Sequence, residues 1–321
     1  MSDEPIRPDP AGDVLGRALE DLQRGIRERW RPGPEEEGGT GFDPLALFDE
    51  ARRRLAHFGM SERSWEVDEF GLDAHSLGRA RRLLDFLADR YWRIEAEGLA
   101  LLPSEQPCLF VSNRSGLLPW DGLMVAHMVS RSLSAAPRPR FLVADWLLTL
   151  PFVHAFLARL GGVRACRENA ERLIRSGHSV VAFPEGQKGA AKVFRERYRL
   201  RRFGRGGVVR VAIAMRCPLV PVAVVGAEEV HPILFKLESA ARMAGVPFLP
   251  VTPTFPALGP LGLLPLPSKW SIRFGTPVST EHLGMEAAED ELLVSRMTEE
   301  LRAEIQRAVN AGLRERASVW G

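Results

Sequence analysis

An α/β fold, a sheet with helices on its faces, is predicted for this chain by two observations. From about residue 107 onward, short apolar runs of strand length alternate with amphipathic stretches of helical period. A long helical-period segment then closes the chain. Composition permits it: 321 residues, 45% hydrophobic and 26% charged, supply a sizeable core for one large domain or one domain with an appendage.

Residues 1–42 have ends rich in Pro, Gly and charge, such as Arg31-Pro32-Gly33-Pro34, and read as a flexible tail. Between those ends Val14, Leu15, Ala18, Leu19, Leu22, Ile26 and Trp30 recur at helical spacing, so one amphipathic helix is expected there. It lacks the basic excess of a membrane helix. Residues 43–100 form a helical region, with Leu45, Phe48, Leu55 and Phe58 in one stretch and Leu83, Leu84, Leu87 and Tyr91 in another. The α/β domain is expected over 101–321. Its strands are Cys108–Val111, Phe141–Ala144, Val180–Phe183, Leu219–Val225 and Ser271–Phe274, and helices near 121–130, 149–160, 168–176 and 206–215 fall among the first four. A final helix over about 287–312 carries Leu292, Val294, Met297, Leu301, Ile305 and Val309 as its apolar set. Residues 245–270 break the pattern, being apolar yet too rich in Pro and Gly for a helix or a central strand. That segment is either packed on the core or inserted into a lipid interface.

A net charge of +2 is too small to argue for a nucleic-acid partner. Ten basic residues from Lys188 to Arg216, opposed only by Glu196, form the one strongly charged run. It suits phosphates of a lipid, of coenzyme A or of an anionic membrane. It lacks the interleaved aromatics of a single-strand nucleic-acid binder, so no nucleic acid is expected. Cys108, Cys166 and Cys217 are widely spaced and read as core residues in a reducing compartment, with no metal site. The start, Met1-Ser2-Asp3-Glu4-Pro5, lacks the features of a signal peptide, and no run of about 18 apolar residues marks a spanning helix. The expectation is a cytoplasmic protein, peripheral on the inner face of a membrane.

Four stretches carry the functional reading. The first is Asn113-Arg114-Ser115-Gly116-Leu117-Leu118-Pro119-Trp120-Asp121, the second Gly161-Gly162-Val163-Arg164-Ala165-Cys166-Arg167. The third is Phe183-Pro184-Glu185-Gly186-Gln187-Lys188-Gly189 and the fourth Pro218-Leu219-Val220-Pro221-Val222-Ala223. In this order they resemble the lysophospholipid and glycerolipid acyltransferase superfamily, in a bacterial branch whose first block runs Asn-His-Ser-Gly and then Leu-Pro-aromatic-Asp. The resemblance implies a mixed, largely parallel sheet and transfer of an acyl chain from acyl-coenzyme A or acyl carrier protein to a lysophospholipid or glycerolipid hydroxyl. No metal or bound cofactor is implied, because a thioester is already activated. Partners implied are the lipid acceptor, the acyl donor and a membrane surface.

The resemblance also assigns residues. Asp121 stands where the family's aspartate orients the catalytic base, and Arg114 stands where the base, a histidine, belongs. Asn113, Ser115, Arg167, Glu185, Gly186 and Lys188 are the implied substrate-binding set, with Gly186 allowing close backbone approach and Lys188 replacing a forked arginine by a point charge. Gln187 and Gly189 lack the family's two hydroxyls. A histidine near its unperturbed pKa can take a proton from a hydroxyl, whereas a guanidinium stays protonated and only donates. Three readings of Arg114 follow: it pairs with Asp121 and leaves a pseudoenzyme that binds lipid; Asp121 or a water serves as base; or Arg114 binds an anionic group and the reaction has changed. None of His57, His75, His127, His154, His178, His231 or His282 is followed by Asp at the family's usual gap.

Overall fold

In chain order the strands are β1 Glu95–Glu97, β2 Leu109–Ser112, β3 Arg140–Val143, β4 Gly162–Arg164, β5 Val180–Ala182, β6 Leu219–Val225, β7 Phe235–Lys236, β8 Pro250–Val251 and β9 Ser271–Phe274. The helices are α1 Ala74–Phe86, α2 Trp120–Ser132, α3 Asp145–Thr149, α4 Val153–Arg159, α5 Arg167–Arg175, α6 Gly186–Ala190, α7 Gly207–Met215, α8 Glu238–Met243 and α9 Glu291–Glu315. This computed structural model describes residues 67–133, 136–149, 153–243 and 246–319. All of them belong to the second of the chain's two compact units, Met1–Arg53 and Arg54–Gly321. The helical stretches expected over 14–30 and 45–58 lie outside the described residues.

Seven strands form one sheet in the order β1-β9-β6-β2-β5-β3-β4, and β7 with β8 forms a separate ribbon. Every neighbouring pair in the large sheet is parallel except β6 with β9. The sheet is therefore mixed and largely parallel, as expected. β2 and β6 lie side by side at its centre and bury every residue, which is why both read as unbroken apolar runs.

Side chains alternate between two cores. On one face Phe110 joins Leu123 of α2, Trp92 and Trp270. On the other, Leu109 and Val111 join Leu173 of α5, Ile213 of α7, and Leu301 and Ile305 of α9. Trp92 and Trp270 are fully buried and stacked, their ring centroids 4.5 Å apart. The first residue of α9 is set by Asp290, whose carboxylate accepts from the N–H groups of Leu292 and Leu293. The four residues before Asp290's neighbour, Met285–Ala288, form a 3-10 turn, so the α-helix begins later than its periodicity suggests.

Pro221 sits inside a central strand, a position that proline normally avoids. Leu219 exchanges both backbone bonds with Val278, so by the two-residue period the Pro221 nitrogen faces the same side. There the chain just past β9 still pairs with it, Gly275 N–H donating to the Pro221 carbonyl at 2.8 Å, and only the reciprocal bond is one that a proline cannot make.

Several expectations need correction. Strands β1 and β4 were not legible as apolar runs, being three residues long and at the two sheet edges. β1 also places part of the sheet ahead of the expected boundary at residue 101. Leu292, assigned to the apolar side of the last helix, is 84% exposed in its first turn. Residues 246–270 divide: Phe248 and Trp270 are packed on the core, whereas Leu258, Leu261 and Leu264 are exposed. Among the described residues no helix is long and apolar enough to cross a membrane.

Trp270→Ala should lower unfolding free energy by about 3–5 kcal/mol in a denaturant titration, because it empties the stacked pair. Leu292→Ala should change it by no more than about 0.5 kcal/mol.

Candidate functional site

Parallel strands deliver their C-terminal ends to one edge of a sheet, and there the first three of the four stretches meet. β2 runs into Asn113 and Arg114, β4 into Cys166 and Arg167, and β5 into Phe183, Pro184 and Glu185. Asn113 is fully buried and acts as a backbone clamp: its amide nitrogen donates to the Val224 carbonyl at 2.9 Å and its oxygen accepts from Val224 N–H at 2.8 Å. Glu185 accepts from the backbone N–H of Arg114 at 2.8 Å and of Arg201 at 2.7 Å. Both side chains, expected to bind substrate, are committed to holding the chain itself.

The centre of the site is an ion pair. Arg114 Nη1 donates to Asp121 Oδ1 at 2.7 Å, with the residues 5% and 0% exposed. Asp121 also accepts from Ser115 N–H at 2.7 Å and from Gly122 N–H at 2.8 Å, in the first turn of α2. Burial raises its pKa, opposed chiefly by Arg114 and then by those two N–H groups. All three partners only donate, and the helix N-terminus favours negative charge, so Asp121 is held as a carboxylate. The Arg114 guanidinium also lies 4.9 Å from the centre of the Phe183 ring.

Gly189 makes room for this pair. A Cβ built there would stand 2.8 Å from Arg114 Cβ and 2.6 Å from Glu185 Cβ. Gly189 and Arg114, from the third and first stretches, are thus neighbours in space.

Behind the pair is a buried charge cluster that sequence reasoning missed. Lys192, read as part of the basic run, is 6% exposed and donates to Glu228 at 2.8 Å, with Glu185 at 3.5 Å. Burial pushes the Glu228 carboxyl up to about 7, with Lys192 opposing. The adjacent Glu229 accepts from Tyr198 Oη at 2.7 Å and takes both Arg316 nitrogens, at 2.7 and 2.6 Å. The basic run is thus less exposed than its sequence suggests. Arg210 pairs with Glu291 and Arg201 with Glu196, while Arg195, Arg199, Arg202 and Arg205 are exposed.

A cavity of about 350 Å³ opens beside Arg114. Leu142, Ala182, Phe183, Phe203 and Val211 give it apolar walls, and Arg114, Arg167 and Arg205 are its cations. Its described lining includes no His, Asp or Glu. Gly186 lines it too, whereas Lys188 lies in a separate basin with Arg201 and Lys236. Arg167 is exposed and bonded to Glu171 at 2.6 Å. Ser115 Oγ is buried with no hydrogen-bond partner among the described residues.

No described histidine replaces the base. His127 is 3.0 Å from Asp85, and burial lowers its pKa. His231 bonds to the Leu263 carbonyl at 2.7 Å. Arg114, Ser115, Asp121 and Glu185 therefore form one bonded group, Arg167 and Gly186 share the cavity with it, and Asn113 and Lys188 face elsewhere.

Residues 93–225 match the family model described as Acyltransferase. The chain is 41% identical over 257 residues to an uncharacterized protein of Mycobacterium leprae, covering 80% of this chain and 70% of that one. It is 39% identical over 257 residues to an uncharacterized protein of Mycobacterium tuberculosis strain H37Rv, covering 80% and 72%. Among solved structures it is similar to the 1-acyl-sn-glycerophosphate acyltransferase of Thermotoga maritima, with a TM-score of 0.45 and 15% identity over 82% of this chain and 89% of that one.

Arg114→Ala should destabilise the fold by about 3–5 kcal/mol, since Asp121 would remain buried without its cation. Adding Asp121→Asn should recover part of that loss in the same denaturant titration. Glu228 makes stability depend on pH. Its folded pKa, about 7, lies above its ordinary 4.5, so its contribution is full below 4.5 and lost as pH rises through 7. Glu228→Gln should flatten that part of a melting-temperature profile.

Proposed function

The chain belongs to the acyltransferase family, and we propose that it binds a lysophospholipid or glycerolipid together with an acyl thioester, with acyl transfer impaired by Arg114. The donor is acyl-coenzyme A or acyl carrier protein, and the protein works as a peripheral protein on the inner face of a membrane. In the reaction the acceptor oxygen attacks the thioester carbonyl, the C–O bond forms, the C–S bond breaks, and the hydroxyl proton ends on the departing sulfur. Apart from positioning, the step needs a base for that proton and donors for the oxyanion.

The Arg114–Asp121 pair at 2.7 Å carries the reading. It supplies donors to an oxyanion, and its one acceptor, the Asp121 carboxylate that would orient a base, is already engaged by three donors. Loss of general-base catalysis alone costs about 10²–10⁴ in rate. The apolar walls of the cavity suit an acyl chain, and Arg167 and Arg205 suit a phosphate. A second reading, a non-catalytic lipid-binding scaffold, is favoured by the absence of His, Asp and Glu from the described cavity lining.

The test compares wild type with Arg114→His for acyl transfer from both donors to a panel of lysophospholipids. The histidine variant should exceed wild type by about 10² or more, and Asp121→Ala should remove the gain. Equal activity in wild type and variant would end the impairment reading. Lipid binding with no transfer by any variant would favour the scaffold.

A further inference from the structure

Six exposed apolar side chains fall in two short segments that are bonded to each other. Leu234, Phe235 and Leu237 belong to the first, Leu258, Leu261 and Leu264 to the second, and all are between 39 and 67% exposed. Leu234 N–H donates to the Val251 carbonyl at 2.8 Å and Leu237 N–H to Leu249 at 2.9 Å. Thr254 Oγ1 donates to the Gly262 carbonyl at 2.9 Å, and His231 holds Leu263. Beneath them Ile233 and Phe248 are buried with Leu117. The face is thus anchored from below by its own core and presents leucines that the fold does not cover.

The patch extends to α1. Pro265 accepts from Tyr91 Oη at 2.7 Å, and the Tyr91 ring lies 6.2 Å from that of Phe86. Phe86 and Leu83 are both exposed. Cations stand at its border: Lys236 lies between Phe235 and Leu237, and shares a basin with Lys188 and Arg201, where Glu238 is the acid. The face also communicates with the site, because Phe248 and Trp146 rings lie 5.9 Å apart and Trp146 lines the cavity beside Arg114.

We infer that this face docks the protein on an anionic lipid bilayer, with Leu258, Leu261 and Leu264 in the acyl boundary and Lys236 and Lys188 among the headgroups. Apolar side chains on an internally bonded backbone, bordered by lysines, match the chemistry of that interface. Clustered exposed apolar side chains mark a docking surface, and the bordering lysines select an anionic one. The inference rests on the reading that the acceptor is a lipid, and it gives Trp146 a place on the route from bilayer to cavity.

The test is co-sedimentation of the full chain with vesicles of phosphatidylcholine and phosphatidylglycerol, and with phosphatidylcholine alone. Wild type should bind the mixed vesicles. The double variant L258E/L261E should bind roughly a hundredfold less, and Lys236→Glu roughly fivefold less or weaker still. Leu292→Glu, on the exposed start of α9, should bind as wild type, and all variants should melt with wild type. Wild type left in the supernatant, or L258E/L261E bound as tightly as wild type, would overturn the inference. So would a variant that dissociates a dimer without changing vesicle binding, since the face would then belong to a second copy. Because no turnover is read, vesicle binding without acyl transfer in Arg114→His would leave docking intact and remove only the catalytic reading.

Discussion

A guanidinium taken out of water needs a carboxylate in return, and the Arg114–Asp121 pair meets that demand at the point where β2 ends and α2 begins. The surrounding contacts follow from it. Ser115 and Gly122 N–H groups complete the Asp121 shell, Phe183 covers the guanidinium, and Gly189 has no side chain to collide with Arg114. The same geometry that makes the pair stable makes it a poor base. Oδ1 accepts from two donors and Oδ2 from one, and the arginine offers no lone pair of its own.

Glu185 connects that pair to the rest of the molecule. It holds the backbone of Arg114 on one side and of Arg201 on the other, with Lys192 close to it and Glu228 beyond. A residue expected to meet substrate thus works as a brace between two chain segments. A carboxylate accepts strongly from two backbone donors at once, which a neutral side chain of that length does less well. Lys192 neutralises the local excess of acid, so a cation that looks like part of a surface run is a structural counter-ion.

The cavity and the apolar face belong to the same side of the argument. Loops at the C-terminal edge of the parallel strands leave an apolar cleft with arginines around it, and the Phe248–Trp146 contact joins it to the leucines of 258–264. Segment 245–270 resisted assignment because proline and glycine destroy the period on which helix and strand recognition depends. Its fate was decided residue by residue: Phe248 and Trp270 found core partners, and three leucines did not.

Sequence alone determined the α/β class, five of the sheet's strands, the helices flanking the site and the family resemblance. These are local properties, written in apolar period and short motifs. It did not determine the edge strands, because three residues with one covered side carry no apolar run. Nor did it determine that Asn113 and Glu185 face backbone, that Lys192 is buried, or that Arg114 is locked to Asp121. Those depend on partners 111, 71, 36 and 7 positions away, and only chain folding brings such groups within hydrogen-bond range. Burial then decides their chemistry, since the same lysine or carboxylate behaves differently once water is removed.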